Sequence, residues 1–420
     1  MMRALYSLGM WLAQPLVRAK LHRRAVKEPL YAHAIQERFG DYEVSPSVPG
    51  RTHRFIWLHA VSLGETRAAA VLVAGLRQNY PGMRLLLTHG TATGWEQGTA
   101  LLKEGDVQVW QPWDTPGAVH RFLTRFKPRI GLLMETEVWP NMVAGCKQAG
   151  VPLCLVNARM SEKSMQSALR LRWLSRPAYA GLHTVLAQTE DDAQRLRTLG
   201  ATVKAVTGNL KFDATPDATL LARGRAWRAT SARPVLMFTS SREGEEQMLI
   251  DALKATPMTG VQWLIVPRHP QRFEAVAALF QAAGFSVSRR SDWHDTPQQA
   301  DVWLGNSLGE MALYYGLADM ALLGGSFAPL GGQNLIEAAA SGCPVLMGPH
   351  TFNFAQAAET AEAEGAALRC ADISDALRQG VALLADPASL ARTRQAAMAW
   401  SVANQGATRR TLDALDFMLT

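Results

Sequence analysis

Phe55-Ile56-Trp57-Leu58-His59-Ala60-Val61-Ser62-Leu63-Gly64-Glu65-Thr66 runs from a largely apolar stretch into a polar turn, and Arg67-Ala68-Ala69-Ala70 then opens a helical pattern. An apolar run without alternation is what a strand buried on both faces looks like, and a strand followed at once by a helix is half of a parallel crossover unit. The same punctuation recurs down the chain. Residues 84–88, 129–134, 151–156 and 184–187 repeat it, a polar stretch intervenes, and 235–240, 262–266, 301–304, 320–323 and 344–347 resume it. Alternating strands and helices predict parallel sheets with right-handed crossovers, so the expected class is α/β. At 420 residues the chain is too long for one ordinary core, and two domains of about 200 residues are expected. Two Rossmann-like, doubly wound domains facing a cleft follow.

The periodicity breaks at Asn209-Leu210-Lys211-Phe212-Asp213-Ala214-Thr215-Pro216-Asp217, which predicts an interdomain linker over 209–217. The first Rossmann-like domain is then 31–208 and the second 218–420. The C-terminal helical stretch, about 387–419, has the reach to cross back onto the first.

Residues 1–30 stand apart. They hold Arg3, Arg18, Lys20, Arg23, Arg24 and Lys27 against a single acid, Glu28, within a chain of net charge +7. The uncharged stretch 4–17 places Leu5, Leu8, Trp11, Leu12 and Leu16 at roughly helical spacing, yet falls short of the ~20 apolar residues a spanning helix needs. Its basic cluster follows the apolar run, the reverse of a cleaved signal peptide. A first helix packed on the core is one reading. The preferred one is an amphipathic segment lying on an anionic membrane surface. Nucleic-acid binding would also use positive charge, but no aromatic-basic interleaving or binding motif accompanies it. Cys146, Cys154, Cys343 and Cys370 show no CxxC spacing and read as buried thiols of a reducing compartment.

In open α/β sheets ligands bind beyond the carboxyl ends of the strands, so residues just after each apolar run are the candidates for chemistry. Glu65 follows the first run at a helix N-terminus. Locally, a capping box with Ser62 accounts for it best, and such a site favours ionisation of the carboxylate. Its position at the strand edge is what makes it a candidate base. Met134-Glu135-Thr136-Glu137 puts two carboxylates after one buried run, where an unpaired charge is costly, and Lys211 is a possible partner for Glu135. Pro267-Arg268-His269-Pro270 puts a cation where it suits a phosphate. Gly324-Gly325-Ser326-Phe327-Ala328-Pro329-Leu330-Gly331-Gly332 leads into Gln333-Asn334-Leu335-Ile336-Glu337; so much glycine before a helix lets backbone amides approach an anion, and Glu337 suits ribose hydroxyls. Gly305-Asn306-Ser307-Leu308-Gly309-Glu310 adds a further Gly-Glu turn. No Walker A loop, no GxGxxG after the first strand, no HExxH and no cysteine metal cluster is present, and Glu190-Asp191-Asp192 reads as a solvated helix start. No metal or cofactor is expected.

Together these motifs resemble the bacterial 3-deoxy-D-manno-octulosonic acid (Kdo) transferases of the GT-B glycosyltransferase class, over nearly the whole chain. The pieces that carry the resemblance are residues 59–66, 134–141, 208–213, 267–270, 324–337 and Gly348-Pro349-His350-Thr351-Phe352-Asn353-Phe354. The resemblance implies CMP-Kdo as donor, a lipid A precursor as acceptor, inversion without a metal, and attachment to the cytoplasmic face of the inner membrane. It implies Glu65 as general base, Glu135 and Lys211 as transition-state groups, and CMP contacts at Arg268, His269, Leu308, Gly309, Glu310, Asn334, Leu335, Ile336 and Glu337. Two departures stand out. Asn306-Ser307-Leu308-Gly309-Glu310 replaces the usual Asp-Thr-Met-Gly-Glu, and Arg242 stands where a histidine is usual. The rival readings are a GT-B enzyme using a UDP-sugar, a non-catalytic nucleotide-binding membrane protein and, more remotely, a dehydrogenase.

Overall fold

In the computed structural model, which describes residues 2–43 and 55–419, the chain forms two compact units, Met1–Asp213 with Gln405–Thr420, and Ala214–Asn404.

The first unit holds strands β1 (Phe55–His59), β2 (Arg84–His89), β3 (Val107–Trp110), β4 (Ile130–Met134), β5 (Leu153–Ala158), β6 (Thr184–Ala187) and β7 (Val203–Val206). They form one parallel sheet in the order β3-β2-β1-β4-β5-β6-β7. Every residue of β1, β2, β4, β5 and β6 is buried, which is why these runs are apolar without alternation. Successive side chains feed opposite faces: Trp57 and Leu133 join one core, Ile56, Leu58 and Leu132 the other. The helices Leu63–Asn79 and Ala407–Leu419 close the second of these faces with Leu72, Leu76, Leu412 and Leu415. Asp213 holds the start of that last helix, accepting the amides of Gly406 at 2.6 Å and Thr408 at 2.5 Å.

The second unit holds β8 (Val235–Ser241), β9 (Gln262–Pro267), β10 (Val287–Arg289), β11 (Val302–Leu304), β12 (Met320–Leu323), β13 (Val345–Met347) and β14 (Ala367–Arg369). Their order is β10-β11-β9-β8-β12-β13-β14, again parallel throughout. The strand order turns back between β1 and β4 in the first sheet and between β8 and β12 in the second. Those two points are where a doubly wound sheet opens a crevice for ligands.

The N-terminal segment forms two helices, Met2–Leu12 and Gln14–Ala25, in which Leu21 alone is buried. A polar face holds the first of them to the unit: the Tyr6 hydroxyl donates to Asp114 at 2.9 Å, Ser7 Oγ to Asn141 at 3.0 Å, and Trp113 Nε1 to the carbonyl of Met10 at 2.9 Å. Leu5, Leu8, Trp11, Leu12 and Leu16 face solvent at 53–74% exposure. The segment is thus neither core nor fully detached. No helix among the described residues is long and apolar enough to cross a membrane. All four cysteines are buried and free.

Candidate active site

Glu65 stands in the first turn of the helix that follows β1. Ser62 caps that helix, but the carboxylate does more than complete a box. Its Oε2 accepts the Val61 amide at 2.9 Å and its Oε1 the Ser62 hydroxyl at 2.9 Å, while the return bond from the Glu65 amide to Ser62 Oγ is long, at 3.4 Å. The turn is held from the β2 side, where Thr91 Oγ1 donates to the Val61 carbonyl at 2.8 Å. The hydroxylated stretch after β2 is therefore a brace for this turn. The sequence expectation that a capped carboxylate ionises readily is corrected here. Burial raises the Glu65 pKa, Glu135 and Glu137 push the same way, and the two donors offset this only in part, leaving it at about 7.

Glu135 directly follows β4, the neighbour of β1 across the point where strand order reverses. Its backbone is left-handed, with φ +56°. Such a conformation costs a non-glycine residue about 1–3 kcal/mol. Lys211 Nζ lies 2.8 Å from Oε1 and Arg159 Nε 3.0 Å from Oε2. Hydrogen bonds to charged partners contribute about 1.5–3 kcal/mol each, enough to offset that strain. Burial alone would raise the Glu135 pKa, but the two cations together outweigh it and hold the group below the ordinary glutamate range. Lys211 sits in a short 3₁₀ turn, Leu210–Asp213, fixed by the Leu210 amide donating to Asn157 Oδ1 at 3.0 Å. Glu137 takes the indole N–H of Trp139 at 2.8 Å, and burial raises its pKa. His59 and His89 are both kept neutral by burial, at about 3 and about 4. Arg159 and Asn157 were not singled out in the sequence. Both lie directly at or after β5, and the strand-edge rule that found Glu135 applies equally to them.

In the second unit the candidate donor residues follow the carboxyl ends of three strands, β9, β11 and β12. Arg268 follows β9 and its Nε donates to Gln333 Oε1 at 3.1 Å, which ties it to the glycine-rich loop. Burial, together with Arg242, Arg268 and Arg272, lowers the His269 pKa. After β11, Glu310 pairs with Arg290 at 2.8 Å, while the side chain of Leu308 is 74% exposed. Gly309 has φ +80°, which lets the Leu308-Gly309-Glu310 turn form. Asn334 caps the helix Leu335–Ala340, accepting the Ile336 amide at 3.1 Å. Leu335 and Ile336 are core residues, so only their backbones can meet a ligand, whereas Glu337 is half-buried.

The glycine-rich loop departs from its expected reading as an open cradle of amides. The amides of Gly325, Phe327 and Ala328 already donate to the Glu245 carboxylate, at 2.7, 3.1 and 3.2 Å. Gly324 is required by packing, since a Cβ there would lie 2.2 Å from the Ser240 carbonyl oxygen. Three amides of the loop, one of them from a glycine, thus serve a carboxyl group of the fold itself. Glu245 is fully buried, and burial outweighs its amide donors to keep its pKa raised. The neighbouring Glu246 holds Arg272 through both guanidinium nitrogens at 2.8 Å. Among the described residues no group of three His, Cys, Asp or Glu side chains is arranged to hold a metal.

Comparison with known proteins adds to this geometry. The family model described as 3-Deoxy-D-manno-octulosonic-acid transferase (kdotransferase) matches residues 33–214. The chain is 48% identical to the 3-deoxy-D-manno-octulosonic acid transferase of Bordetella pertussis, with 99% of each chain aligned. It is 32% identical to the enzyme of the same name from Haemophilus influenzae, over 99% of this chain and 98% of the other. Among solved structures, a glycosyltransferase from Rickettsia africae superposes with a TM-score of 0.58 at 14% identity, covering 88% of this chain and 99% of that one, a likeness of fold. The two sheets are those of the GT-B architecture.

Proposed function

Because this chain belongs to the family of 3-deoxy-D-manno-octulosonic acid (Kdo) transferases, we propose that it moves Kdo from CMP-Kdo to a lipid A precursor with Glu65 as the base. The acceptor hydroxyl gives its proton to Glu65, its oxygen bonds to the anomeric carbon of Kdo, and the bond from that carbon to the CMP phosphate oxygen breaks. CMP departs with the electron pair, and a single displacement of this kind inverts the anomeric centre. A base at about pKa 7 is matched to this work at neutral pH, and such assistance contributes about 10²–10⁴-fold.

The observation that carries the reading is the pairing of opposite pKa shifts on two carboxylates at one strand-order reversal. Glu65 is raised and able to take a proton; Glu135 is lowered and stays charged. Divergent environments of this type separate acid–base work from electrostatic work. Glu135 with Lys211 would then stabilise charge in the transition state, and Lys211 would also meet the Kdo carboxylate. Donor binding is assigned to Arg268, His269, Leu308, Gly309, Glu310, Asn334, Leu335, Ile336 and Glu337. Of these, Arg268 supplies charge to the phosphate and Glu337 a carboxylate to ribose hydroxyls.

The exposed apolar row Leu5, Leu8, Trp11, Leu12 and Leu16, followed by Arg18, Lys20, Arg23, Arg24 and Lys27, supports peripheral attachment to the anionic cytoplasmic face of the inner membrane. Mass spectrometry of the product formed from CMP-Kdo and a lipid A precursor tests the reading. A UDP-sugar donor that replaces CMP-Kdo, or the absence of any transfer, would overturn it.

A further inference from the structure

Three strands of the second sheet, β9, β11 and β12, deliver the donor residues assigned above, and β8 delivers none. Yet β8 borders the point where the strand order of that sheet turns back, which is where a ligand crevice opens. The first residue beyond β8 is Arg242. The backbone is irregular just before it: Ser240 is left-handed, with φ +51°, and the register with β9 shifts between Thr239 and Ser241. Such an irregularity re-aims the side chains beyond it, and a left-handed non-glycine residue persists only where its surroundings fix it.

The surroundings here are the donor loops. Glu245 Oε2, which accepts the Gly325 amide at 2.7 Å, also accepts the Arg242 amide at 2.9 Å. On the other side the Arg268 amide donates to the Ser241 carbonyl at 3.0 Å, and Arg268 Nε is tied to Gln333. One frame thus carries Arg242, Arg268 and the glycine-rich loop.

The arginines at this edge are not equivalent. Arg272 gives both terminal nitrogens to Glu246, at 2.8 Å each. Arg242 gives Nε to Glu243 Oε2 at 3.2 Å, and among the described residues neither of its Nη nitrogens meets an acceptor. Glu243 holds it weakly, being 58% exposed and shared with Arg272 at 3.4 Å. The Arg242 side chain is itself only 26% exposed, so a guanidinium edge with unused donors is kept in a mostly buried place. Arg242 and Arg268 both lower the His269 pKa, which brings their charge to bear on one spot. A planar edge of N–H donors matches two oxygens of a phosphate.

We propose that Arg242 is a ligand of the donor phosphate, working beside Arg268 and taking up the charge of the departing CMP. As the bond between the anomeric carbon and the phosphate oxygen breaks, its electron pair stays on that oxygen. A phosphodiester with one negative charge becomes a phosphomonoester with two. A guanidinium that cannot lose its proton, fixed at this edge, meets the growing charge. This role rests on the transferase reading given above, with CMP-Kdo as donor.

Calorimetry on the full chain tests it, with CMP titrated directly and cytidine, which lacks the phosphate, by displacement; transfer from CMP-Kdo is followed alongside. Arg242→Gln keeps the backbone bond to Glu245, and its fold is checked by circular dichroism. Its affinity for CMP should fall about tenfold or more while cytidine binds as to wild type. Its kcat should also fall about tenfold or more, and Arg242→Lys should restore part of both losses. Glu243→Gln removes only the exposed partner and should bind CMP at least as tightly as wild type. Equal losses of CMP and cytidine overturn the proposal, as does wild-type CMP affinity in Arg242→Gln. So does a Glu243→Gln variant that loses CMP as Arg242→Gln does, because the pair then only shapes the loop. A normal kcat removes the leaving-group role. If Arg242→Gln does not fold, Arg242→Lys decides, since its ammonium lacks the planar edge: CMP should weaken and cytidine should not, and equal binding of both to wild type overturns the assignment. If wild type transfers no Kdo, the transferase reading fails by itself. The binding series then stands alone: a loss confined to CMP supports the phosphate contact, and no such loss overturns it.

Discussion

Glu135 and Lys211, 76 positions apart in the chain, close an ion pair of 2.8 Å at the end of β4. One partner is presented by a left-handed residue at a strand edge, the other by a 3₁₀ turn tied to β5 through Asn157. The pair joins two pieces of backbone that have no regular secondary structure in common.

Removing one partner of a buried pair leaves a charge without compensation, at a cost of about 3–5 kcal/mol. Arg159 stays on the other oxygen, so Lys211→Ala should lose about 2–3 kcal/mol in urea unfolding at pH 7, and Glu135→Gln in the same chain should recover part of it. The folded-state pKa of Glu135 is depressed, so its contribution is present above the unfolded glutamate value and is lost as pH falls through the folded one. The penalty of Lys211→Ala should accordingly fade under acid conditions.

Glu65 must be ionised to accept a proton. With its pKa at about 7, kcat/KM should rise about tenfold per pH unit on the acid side and level off above neutrality. Glu65→Gln should lower turnover by about 10²–10⁴-fold while CMP-Kdo binding, measured by calorimetry, is unchanged. A variant that turns over at the wild-type rate removes Glu65 from the mechanism.

The same group has a stability signature of opposite sense to that of Glu135. Its folded pKa is raised, so its contribution is full below the unfolded value and is lost as pH rises through about 7. Glu65→Gln carries no such dependence. Relative to wild type it should gain about 1–3 kcal/mol between pH 5 and pH 8, an inactive protein that is harder to unfold. Denaturation series at the two pH values check this.

Glu245→Ala would strip one acceptor from three buried amides of the 325–328 loop. Each unsatisfied group costs about 1–3 kcal/mol, so the variant should unfold at distinctly lower denaturant concentration. Glu245→Gln keeps an acceptor oxygen. It should fold and show its defect chiefly as a raised KM for CMP-Kdo, through a loosened loop.

Replacing Leu5, Leu8, Trp11 and Leu12 together with serine removes apolar surface that already faces solvent. Unfolding of the protein should barely change, while co-sedimentation with anionic vesicles should fall strongly. Retained sedimentation would assign attachment to another surface.

The interior of both sheets was legible in the sequence, and their borders were not. Ten strands were expected within a few residues of where they lie. The four that escaped, β3, β7, β10 and β14, are the four edge strands. Only the interior ones are buried on both faces and so write an unbroken apolar run. β7 is never fully buried along its length, and β10 has a single buried residue in three. Glu65, Glu135, Lys211 and Arg268 were found because each follows a break in periodicity. Glu245 follows β8 by the same rule, but the partners that give it a role are amides 80 to 83 residues downstream, and backbone amides leave no trace in a sequence.

The helix Ala407–Leu419 belongs to the unit that begins at the N-terminus, and this sets an order of events during synthesis. The ribosome delivers β1 through β7 first, then the whole of Ala214–Asn404, and only after it the helix whose Leu412 and Leu415 help to seal one face of the first sheet. The first unit is begun before the second and completed after it. Until that helix is made, the face lacks Leu412 and Leu415 on the nascent chain, so deleting residues 407–419 would harm the unit that carries Glu65 and spare the one built in between.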